Sequence, residues 1–332
     1  MEQKAIIVEN LVKEYPRVKA VNGVSFDVLQ GEIFGLLGPN GAGKTTTIRT
    51  LLTLIKPTSG KVTMYGVDVA RNSETVRGMC GYVPQDVSAD GDLTAYENVL
   101  IYAKLYNMPR QERKKRIMDV LSYLEIKERA NDMVNTYSGG MMRRLEIAQA
   151  LVNRPKVLFL DEPSIGLDPN ARRIIWDLIN RLRTEFGTTI FLTTHDMNEA
   201  DILCDRIGIM NKGSLATLDT PERLKASVGG DVISISSNSP TCPVKLTNMG
   251  YKVISDAKNG QCDLVVDNGE TLIPQLLSSL NTVGVTVNAV SLKKPTLDDA
   301  FLKYTGSRIE EGPGETFQAA KRARTAFRRF TQ

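Results

Sequence analysis

The amino-acid sequence predicts an α/β fold with a largely parallel sheet, followed by a smaller α+β domain. Between about residues 4 and 230, short β-branched runs alternate with stretches whose apolar residues recur at helical spacing, as in strand-helix-strand units. The pattern of predicted elements changes after Gly229-Gly230, where short strands become more frequent. The length of 332 residues is enough for two such domains.

Three short apolar runs are predicted as buried central strands, because they are rich in β-branched and aromatic residues. They cover residues 32–37, 157–160 and 189–194. Two charged stretches, residues 111–130 and 172–186, carry apolar residues at helical spacing. We therefore expect an amphipathic helix in each.

The second domain is predicted to follow a β-α-β-β-α-β order, with one more helix after it. The predicted elements are a strand at 232–236, a short helix, a strand at 251–256, a turn at 259–260, a strand at 262–266, a helix at 271–280, a strand at 285–292 and a helix from about 296. The expected organisation is a first domain at residues 1–230, an accessory α+β domain at 231–306 and a basic, flexible tail at 307–332.

The composition excludes several classes of function. A single histidine, His195, excludes zinc sites built on two histidines and catalysis by a pair of imidazoles. The four cysteines form no Cys-x-x-Cys pair, so we interpret them as reduced, incidental thiols. We expect neither a secretory signal nor a membrane span. The net charge of +4 is too small to indicate nucleic-acid binding by itself.

Residues 38–45 match the phosphate-loop pattern G-x-x-x-x-G-K-[S/T] between a predicted strand and a predicted helix. The glycines permit tight turns that direct successive N–H groups inward, and the helix N-terminus adds a positive dipole end. Lys44 is expected to reach the β- and γ-phosphates of a nucleotide, and the hydroxyl of Thr45 to bind Mg²⁺.

Two adjacent carboxylates, Asp161 and Glu162, end the predicted strand 157–160. Successive residues of a strand point in opposite directions, so these two side chains can take different tasks. We expect Asp161 to act on Mg²⁺ from its outer coordination sphere. Glu162 is expected to orient and deprotonate the water that attacks the γ-phosphate.

A second anion-binding surface is predicted at Ser138, Gly139 and Gly140, which open a helix. A serine hydroxyl, two glycine amides and a helix N-terminus are together suited to phosphate oxygens. The sequence therefore predicts two phosphate-binding faces.

This set of motifs, in this order, resembles the nucleotide-binding subunit of an ATP-binding cassette (ABC) transporter. The matching positions are the phosphate loop at 38–45, Gln85, Ser138-Gly139-Gly140, Asp161-Glu162, Gly166-Leu167-Asp168 and Thr194-His195. The resemblance covers residues 4–230 and implies the P-loop NTPase fold of an ABC cassette, with a mostly parallel sheet core and a helical subdomain. It also implies ATP and Mg²⁺ as cofactors, and ATP hydrolysis coupled to transmembrane transport.

The resemblance implies a role for each matching residue. Catalysis is assigned to Glu162, His195, Gln85 and Lys44, and metal binding to Thr45, Gln85 and Asp161. Tyr15 matches the aromatic residue that stacks on adenine, Asp168 matches a residue at the dimer seam, and His195 matches the residue that contacts the γ-phosphate. The nucleotide-binding set is Tyr15, Gly38, Pro39, Asn40, Gly41, Ala42, Gly43, Lys44, Thr45, Thr46, Gln85, Ser138, Gly139, Gly140 and Asp168.

Two segments are similar to the daunorubicin/doxorubicin drug-resistance exporter subgroup. The signature has Tyr137 and Met141 where the commonest family motif has leucine and glutamine, and residues 290–306 resemble the subgroup's C-terminal motif. The similarity implies the motor of a multidrug or lipid-type exporter. An importer motor is one alternative. The other is a soluble ABC ATPase acting on nucleic acid or ribosomes, which is disfavoured because only 94 positions separate Lys44 from Ser138 and no second phosphate loop follows.

One copy of each motif implies that a second subunit closes each ATP site. The resemblance implies a head-to-tail dimer, satisfied by a homodimer, in which Ser138 and Gly140 of one chain cap the ATP held by Lys44 of the other. Separate transmembrane permease subunits are expected to dock on residues 85–97, which places the chain at the cytoplasmic side of the cell membrane. No nucleic-acid partner is expected.

The accessory domain and the tail support less specific predictions. The accessory domain is interpreted as a packing or dimer-stabilising appendage, with ligand sensing as the alternative. The tail carries basic residues near Phe317, Phe327 and Phe330, a composition that suits either anionic lipid headgroups or a solvated tail.

Overall fold

A computed structural model describes residues 3–237, 239, 241–257 and 261–306 of the chain. These residues form two compact units that divide between Thr220 and Pro221. The division falls one helix earlier than the boundary predicted at residue 230, because the helix that follows Thr220 packs against the last described helix of the second unit. The predicted tail at 307–332 lies outside the described residues.

The first unit alternates strands and helices as predicted, beginning with a long antiparallel hairpin. Its elements are β1 (Lys4–Tyr15), β2 (Val18–Leu29), β3 (Ile33–Leu37), α1 (Lys44–Leu51), β4 (Ser59–Met64), β5 (Val67–Asp68), α2 (Ser73–Met79), β6 (Cys80–Val83), α3 (Ala95–Leu105), α4 (Arg110–Tyr123), α5 (Gly139–Leu151), β7 (Val157–Asp161), α6 (Pro169–Phe186), β8 (Thr189–Thr194), α7 (Met197–Leu203), β9 (Arg206–Asn211) and β10 (Ser214–Asp219).

The main sheet has six strands in the order β10-β9-β3-β8-β7-β6. All neighbours from β9 to β6 are parallel, and β10 pairs antiparallel with β9 at the edge. Strands β3, β7 and β8 are buried at every position, as expected for the centre of a sheet covered on both faces. The predicted parallel core is therefore confirmed.

A second sheet, in the order β2-β1-β4-β5, is antiparallel and is a feature that the sequence analysis did not specify. Strands β1 and β2 have mixed burial, because one face packs on the main sheet and the other is exposed. The rings of Phe26, Phe34, Phe191 and Phe159 contact one another in series across this core, with centroids 5.2 to 5.9 Å apart.

Helices α3, α4 and α5 pack on one another and form the helical part of the unit. The helix predicted at 111–130 is shorter than expected, since α4 ends at Tyr123 and Glu125 adopts a left-handed backbone (φ 56°). The apolar spacing continues past the helix because the segment that follows it is also partly buried, at Leu124, Ile126 and Ala130. Among the described residues, no helix has the length and apolar composition needed to cross a membrane.

The second unit consists of α8 (Pro221–Val228), β11 (Asp231–Ser237), α9 (Cys242–Asn248), β12 (Lys252–Ala257), β13 (Gln261–Val266), α10 (Gly269–Thr282), β14 (Val287–Lys293) and α11 (Leu297–Thr305). Its strands form one antiparallel sheet in the order β12-β13-β11-β14, which confirms the predicted β-α-β-β-α-β order. The sulfurs of Cys242 and Cys262, 20 residues apart in sequence, lie 3.7 Å apart in its apolar core and form no disulfide.

Candidate active site

The carboxyl ends of the parallel strands bring most of the predicted residues to one edge of the main sheet. Leu37 pairs with Thr194, so the phosphate loop and His195 leave neighbouring strands side by side. Leu160 pairs with both Val83 and Leu192, which places Asp161-Glu162 between Gln85 and His195. This edge is where open parallel sheets bind ligands.

The phosphate loop needs its glycines for two separate reasons. Gly41 and Gly43 have φ values of 79° and 103°, a region that favours glycine. A Cβ at Gly43 would collide with the carbonyl oxygen of Ala20, and one at Gly38 with that of Met210. At Gly38 and Gly43 the loop thus approaches the β9 and β2 backbones too closely for a side chain, and it ends at Lys44, the first residue of α1.

Lys44 is buried, with 5% of its side chain exposed. Its Nζ donates to the carbonyl oxygens of Gly38 at 2.6 Å and Pro39 at 3.3 Å, which curls the ammonium group back over the loop. The same Nζ lies 3.1 Å from Oε1 of Glu162. One cation therefore connects the phosphate loop to the carboxylate at the end of β7.

Asp161 and Thr45 form an oxygen-rich site beside this pair. The hydroxyls of Thr45 and Thr193 donate to Oδ1 of Asp161 at 3.2 and 2.5 Å. Oδ2 of Asp161 is buried and has no hydrogen-bond partner among the described residues, and burial raises the pKa of this carboxyl group. A carboxylate with a spare lone-pair face beside a hydroxyl matches the few hard oxygen ligands that Mg²⁺ takes from protein in nucleotide sites.

No group of three or more His, Cys, Asp or Glu side chains in the described part of the chain could hold a metal ion by itself. Mg²⁺ in nucleotide sites is bound by one or two protein oxygens together with phosphate oxygens and water. The Thr45–Asp161 arrangement therefore fits Mg²⁺ bound with a nucleotide, and it does not fit a resident ion held by protein ligands alone.

Glu162 is held from two sides by charged or polar neighbours. Its Oε2 lies 2.7 Å from Nδ1 of His195 and accepts from the His195 backbone N–H at 3.3 Å, while its Oε1 faces Lys44. The backbone of Glu162 is left-handed (φ 52°), which is unusual for a residue with a side chain. Such outliers cluster where the surrounding structure fixes a functional group.

The Glu162–His195 pair shifts both pKa values. Burial by itself would raise the pKa of Glu162, but the hydrogen bond with His195 and the charge of Lys44 outweigh it and lower that pKa. The hydrogen bond with Glu162 raises the pKa of His195, against the opposing effects of burial and Lys44. The pair thus favours an ionised carboxylate beside a protonated imidazole.

Tyr15 and Gln85 lie at or just after the ends of two strands, β1 of the antiparallel sheet and β6 of the main sheet. Tyr15 is the last residue of β1 and is 39% exposed, and the hairpin that follows it leads to Ala20, which touches the phosphate loop. Gln85 follows β6 by two residues and is exposed. Both side chains are exposed, and their contacts with nucleotide stay predictions.

The signature residues lie at the start of α5, outside the buried edge. Ser138 is exposed and caps the helix by accepting the N–H of Met141 at 3.3 Å. A Cβ on Gly140 would come within 3.0 Å of the Cβ of Ala171, on the first turn of α6. Asp168 is exposed and caps α6 through the N–H groups of Asn170 and Ala171. The predicted signature and dimer-seam residues thus lie at the N-termini of two adjacent helices.

Sequence reasoning missed two residues that contact the site, Thr193 and Arg143, and it also missed Glu146, the ion-pair partner of Arg143. Thr193 donates to Asp161 and accepts the N–H of Glu162 at 3.2 Å. Its position on a buried strand, two residues before His195, was the available signal for this role. Arg143 donates to the carbonyl oxygen of Glu162 at 3.3 Å and pairs with Glu146 at 3.1 Å. Their i, i+3 spacing on a mostly buried helix was the available signal.

Comparison with known families matches both units. The family model described as ABC transporter matches residues 21–165, and the model described as ATP-binding protein DrrA1-3-like, C-terminal domain, matches residues 220–305. The first match includes the phosphate loop, Gln85, the signature and Glu162. The second match begins at the division between the two units.

Similar proteins are aligned over nearly their full length. The chain is 34% identical over 310 residues to the linearmycin resistance ATP-binding protein LnrL of Bacillus subtilis, covering 91% of this chain and 99% of that protein. It is 34% identical over 328 residues to the daunorubicin/doxorubicin resistance ATP-binding protein DrrA of Streptomyces peucetius, covering 97% and 98%.

A solved structure with the same fold is the ATP-binding cassette MJ0796, a dimer in a post-hydrolysis state bound to ADP and Pi. It is 30% identical, superposes with a TM-score of 0.59, and covers 65% of this chain and 98% of that one. The fold class and the ATPase activity that the motifs implied are thus confirmed. Since family models match both units and two relatives, each 34% identical, align with 91% and 97% of the chain, the chain belongs to the ABC transporter family as an ATP-binding protein with a DrrA1-3-like C-terminal domain.

Proposed function

We propose that the chain hydrolyses ATP with Glu162 as the general base, and that a second copy of the chain completes each ATP site. The observation that supports this most directly is the carboxylate of Glu162, which is almost fully buried at the sheet edge between Lys44 and His195. A general base must be ionised and held next to the reacting water, and the lowered pKa of Glu162 meets the first requirement.

Phosphoryl transfer depends on positioning and on neutralising the charge that spreads over the γ-phosphate oxygens. The amides of residues 38–45 and the Lys44 ammonium supply positive potential on one side of the nucleotide. Thr45, Asp161 and Gln85 would hold Mg²⁺, which neutralises phosphate charge when it is bound. Tyr15 stacks on the adenine. Glu162 orients the attacking water and accepts its proton.

His195 contacts the γ-phosphate and holds Glu162 in place. With Nδ1 donating to Glu162, the second ring nitrogen Nε2 can donate to a phosphate oxygen only when the imidazole carries both protons. The raised pKa of His195 favours that protonated form. One imidazole can therefore orient the base and stabilise the transferring phosphoryl group.

The second phosphate-binding face is supplied by a partner subunit. Ser138, Gly139 and Gly140 are accessible at the N-terminus of a helix of 13 residues, where unpaired N–H groups favour anions. Each chain carries one such face and one phosphate loop, so a head-to-tail homodimer forms two complete ATP sites. The dimeric cassette with bound ADP and Pi supports this arrangement for the family.

The transport role rests on the relatives, which are named for resistance to linearmycin, daunorubicin and doxorubicin. The chain acts as the motor of a drug or lipid-type exporter, with separate transmembrane permease subunits docked on residues 85–97 at the cytoplasmic side of the membrane. The second unit is an accessory domain that packs or stabilises the dimer. An importer motor and an ATPase acting on nucleic acid lack comparable support among these relatives.

The substitution Glu162→Gln tests the assigned base. It keeps the shape of the side chain but removes the proton acceptor, so we expect turnover to fall by about 10²–10⁴-fold. ATP binding should persist, and the variant should elute as an ATP-dependent dimer from a sizing column. The matched control is Glu128→Gln, an exposed glutamate outside the site. Wild-type turnover in Glu162→Gln would refute the assignment.

A further inference from the structure

A completely buried ion pair lies directly beneath the site, on α5. The side chains of Arg143 and Glu146 are 0% exposed and approach to 3.1 Å. Removing two charges from water is energetically costly, and their attraction offsets that cost only when further hydrogen bonds complete the geometry. The additional partners of this pair therefore indicate what it stabilises.

Arg143 donates to the ends of two neighbouring strands. Its Nη1 donates to the carbonyl oxygen of Pro84 at 2.9 Å, immediately before Gln85. Its Nη2 donates to the carbonyl oxygen of Glu162 at 3.3 Å. Strands β6 and β7 are parallel neighbours, so one guanidinium fixes the two backbones where they leave the sheet.

Glu146 extends this connection into residues 86–92. While its Oε2 faces Arg143, its Oε1 accepts the N–H of Ser88 at 2.5 Å and the Ser88 hydroxyl at 3.1 Å. Two residues later, Asp90 exchanges hydrogen bonds with the buried Asn98, which also accepts from Gln149 on α5. The segment after β6 is thus attached to α5 at two points.

The backbone of Glu162 requires such support. A left-handed φ of 52° is sterically unfavourable in a residue with a side chain, so the peptide holds this geometry only if its surroundings fix it. Thr193 accepts the N–H on one side, through its carbonyl oxygen at 3.0 Å and its hydroxyl oxygen at 3.2 Å. On the other side, Arg143 holds the carbonyl oxygen.

We propose that Arg143, held by Glu146, is a positioning residue for ATP hydrolysis that sets the orientation of Glu162 relative to residues 84–90. This inference rests on the proposed function in taking Glu162 as the base. A partner that moves residues 84–90 changes the Ser88–Glu146–Arg143 connection and thereby the placement of the Glu162 carboxylate. The pair therefore provides a physical route by which docking at that segment alters turnover.

The double substitution Arg143→Met with Glu146→Leu tests the role without leaving a buried charge unpaired. Replacing a buried ion pair by apolar residues of similar volume is often neutral for stability, so the variant should fold. Fluorescence of Trp176, the single tryptophan of the chain, reports whether it does. We expect kcat to fall about tenfold or more while the dissociation constant for ATP changes less than about threefold.

A purely structural role is distinguished by the titration of the single histidine. His195 is faced by Glu162, Lys44 and Asp196, and its raised pKa depends first on the hydrogen bond with Glu162. If Arg143 positions Glu162, the pKa of His195 followed by NMR falls in the double variant. Arg143→Lys, which keeps a cationic donor, should recover part of kcat and part of the pKa. Double-variant kcat and His195 pKa equal to wild type would overturn the proposal.

Arg144→Met is the matched control, since Arg144 is the next residue of α5 but contacts Glu125 and Leu124. It should leave kcat and the His195 titration unchanged. Glu162→Gln assayed beside these variants separates the two proposals. Slow turnover in Glu162→Gln together with wild-type turnover in the double variant refutes only the role of Arg143. Wild-type turnover in Glu162→Gln refutes the assigned base itself.

Discussion

The phosphate loop and the signature loop both present backbone amides at a helix N-terminus, yet their surroundings differ. The phosphate loop is packed against two strands, and its Lys44 is almost fully buried between loop carbonyls and Glu162. The signature loop is exposed at Ser138, whose hydroxyl caps its own helix. One loop is integrated with charged partners inside the chain, and the other is an open surface.

In the proposed head-to-tail dimer, this difference describes how each ATP site is divided between two chains. The half that carries the reactive groups is preorganised by contacts within one chain, which lowers the reorganisation needed during catalysis. The open half supplies a hydroxyl and N–H groups without a charged side chain, and it has a helix N-terminus as its main attraction for phosphate. A division of this kind allows ATP to draw two subunits together and hydrolysis to release them.

The largest effect is expected from His195→Ala, in the half of the site that contains the phosphate loop and Lys44. Removing a preorganised hydrogen-bond donor to developing charge lowers kcat by about 10²–10³-fold. ATP binding should change little, because the phosphate loop and Lys44 remain. Steady-state ATPase assays and ATP titrations measure the two quantities. An unchanged kcat would show that ATP hydrolysis does not depend on this imidazole.

The contribution of the His195–Glu162 pair to the free energy of unfolding should depend on pH. The folded-state pKa of His195 is raised and that of Glu162 is lowered. His195 contributes fully to folding stability below the ordinary histidine pKa of about 6.5. This contribution is lost as pH rises through the raised pKa of the folded state. The stabilisation from Glu162 is lost as pH falls through its lowered pKa. Urea unfolding of wild type and His195→Ala, followed by Trp176 fluorescence, should therefore converge towards both pH extremes.

A smaller effect is expected from Lys44→Ala, which acts on binding. Hydrogen bonds between charged groups contribute about 1.5–3 kcal/mol, so ATP affinity should fall about 10- to 100-fold. The matched control is Lys61→Ala, an exposed lysine on β4, which should bind ATP like wild type. Isothermal titration gives both values. Equal affinity in Lys44→Ala and wild type would contradict the assigned phosphate contact.

Much of the half of the site that contains the phosphate loop and Glu162 could be predicted, because its motifs are each formed by consecutive residues. The glycine pattern before Lys44 and the carboxylates after an apolar strand are each continuous in the chain. Their meeting at one edge follows from parallel pairing. The antiparallel sheet was not predicted. The burial pattern of β1 is irregular, and although Val24, Phe26 and Val28 of β2 are buried in alternation, this spacing does not specify which strands pair.

Other features depend on contacts between distant segments. Arg143 and Glu146 read as ordinary charged residues of a helix, and only packing reveals that their partners are Pro84, Ser88 and the carbonyl oxygen of Glu162. The end of α4 at Tyr123 was missed because apolar spacing continues past it in a non-helical turn. Periodicity records burial, and burial alone does not specify the backbone conformation.

The composite ATP site is tested most directly by joining the two loops across subunits. Asn40 and Ser138 are exposed, and all four native cysteines are buried, so Asn40→Cys and Ser138→Cys introduce accessible thiols. The two variants, each also carrying Glu162→Gln, are mixed with ATP and a short bifunctional thiol reagent. Ser122→Cys, another exposed serine, replaces Ser138→Cys in the control mixture.

We expect a covalent dimer on a denaturing gel only when Asn40→Cys and Ser138→Cys chains are mixed and ATP is present. Neither variant alone and no mixture with Ser122→Cys should give it, because only the phosphate loop and the signature loop of opposite chains meet in a head-to-tail pair. No cross-linked dimer in the mixture, or equal cross-linking in either variant alone, would contradict the composite site.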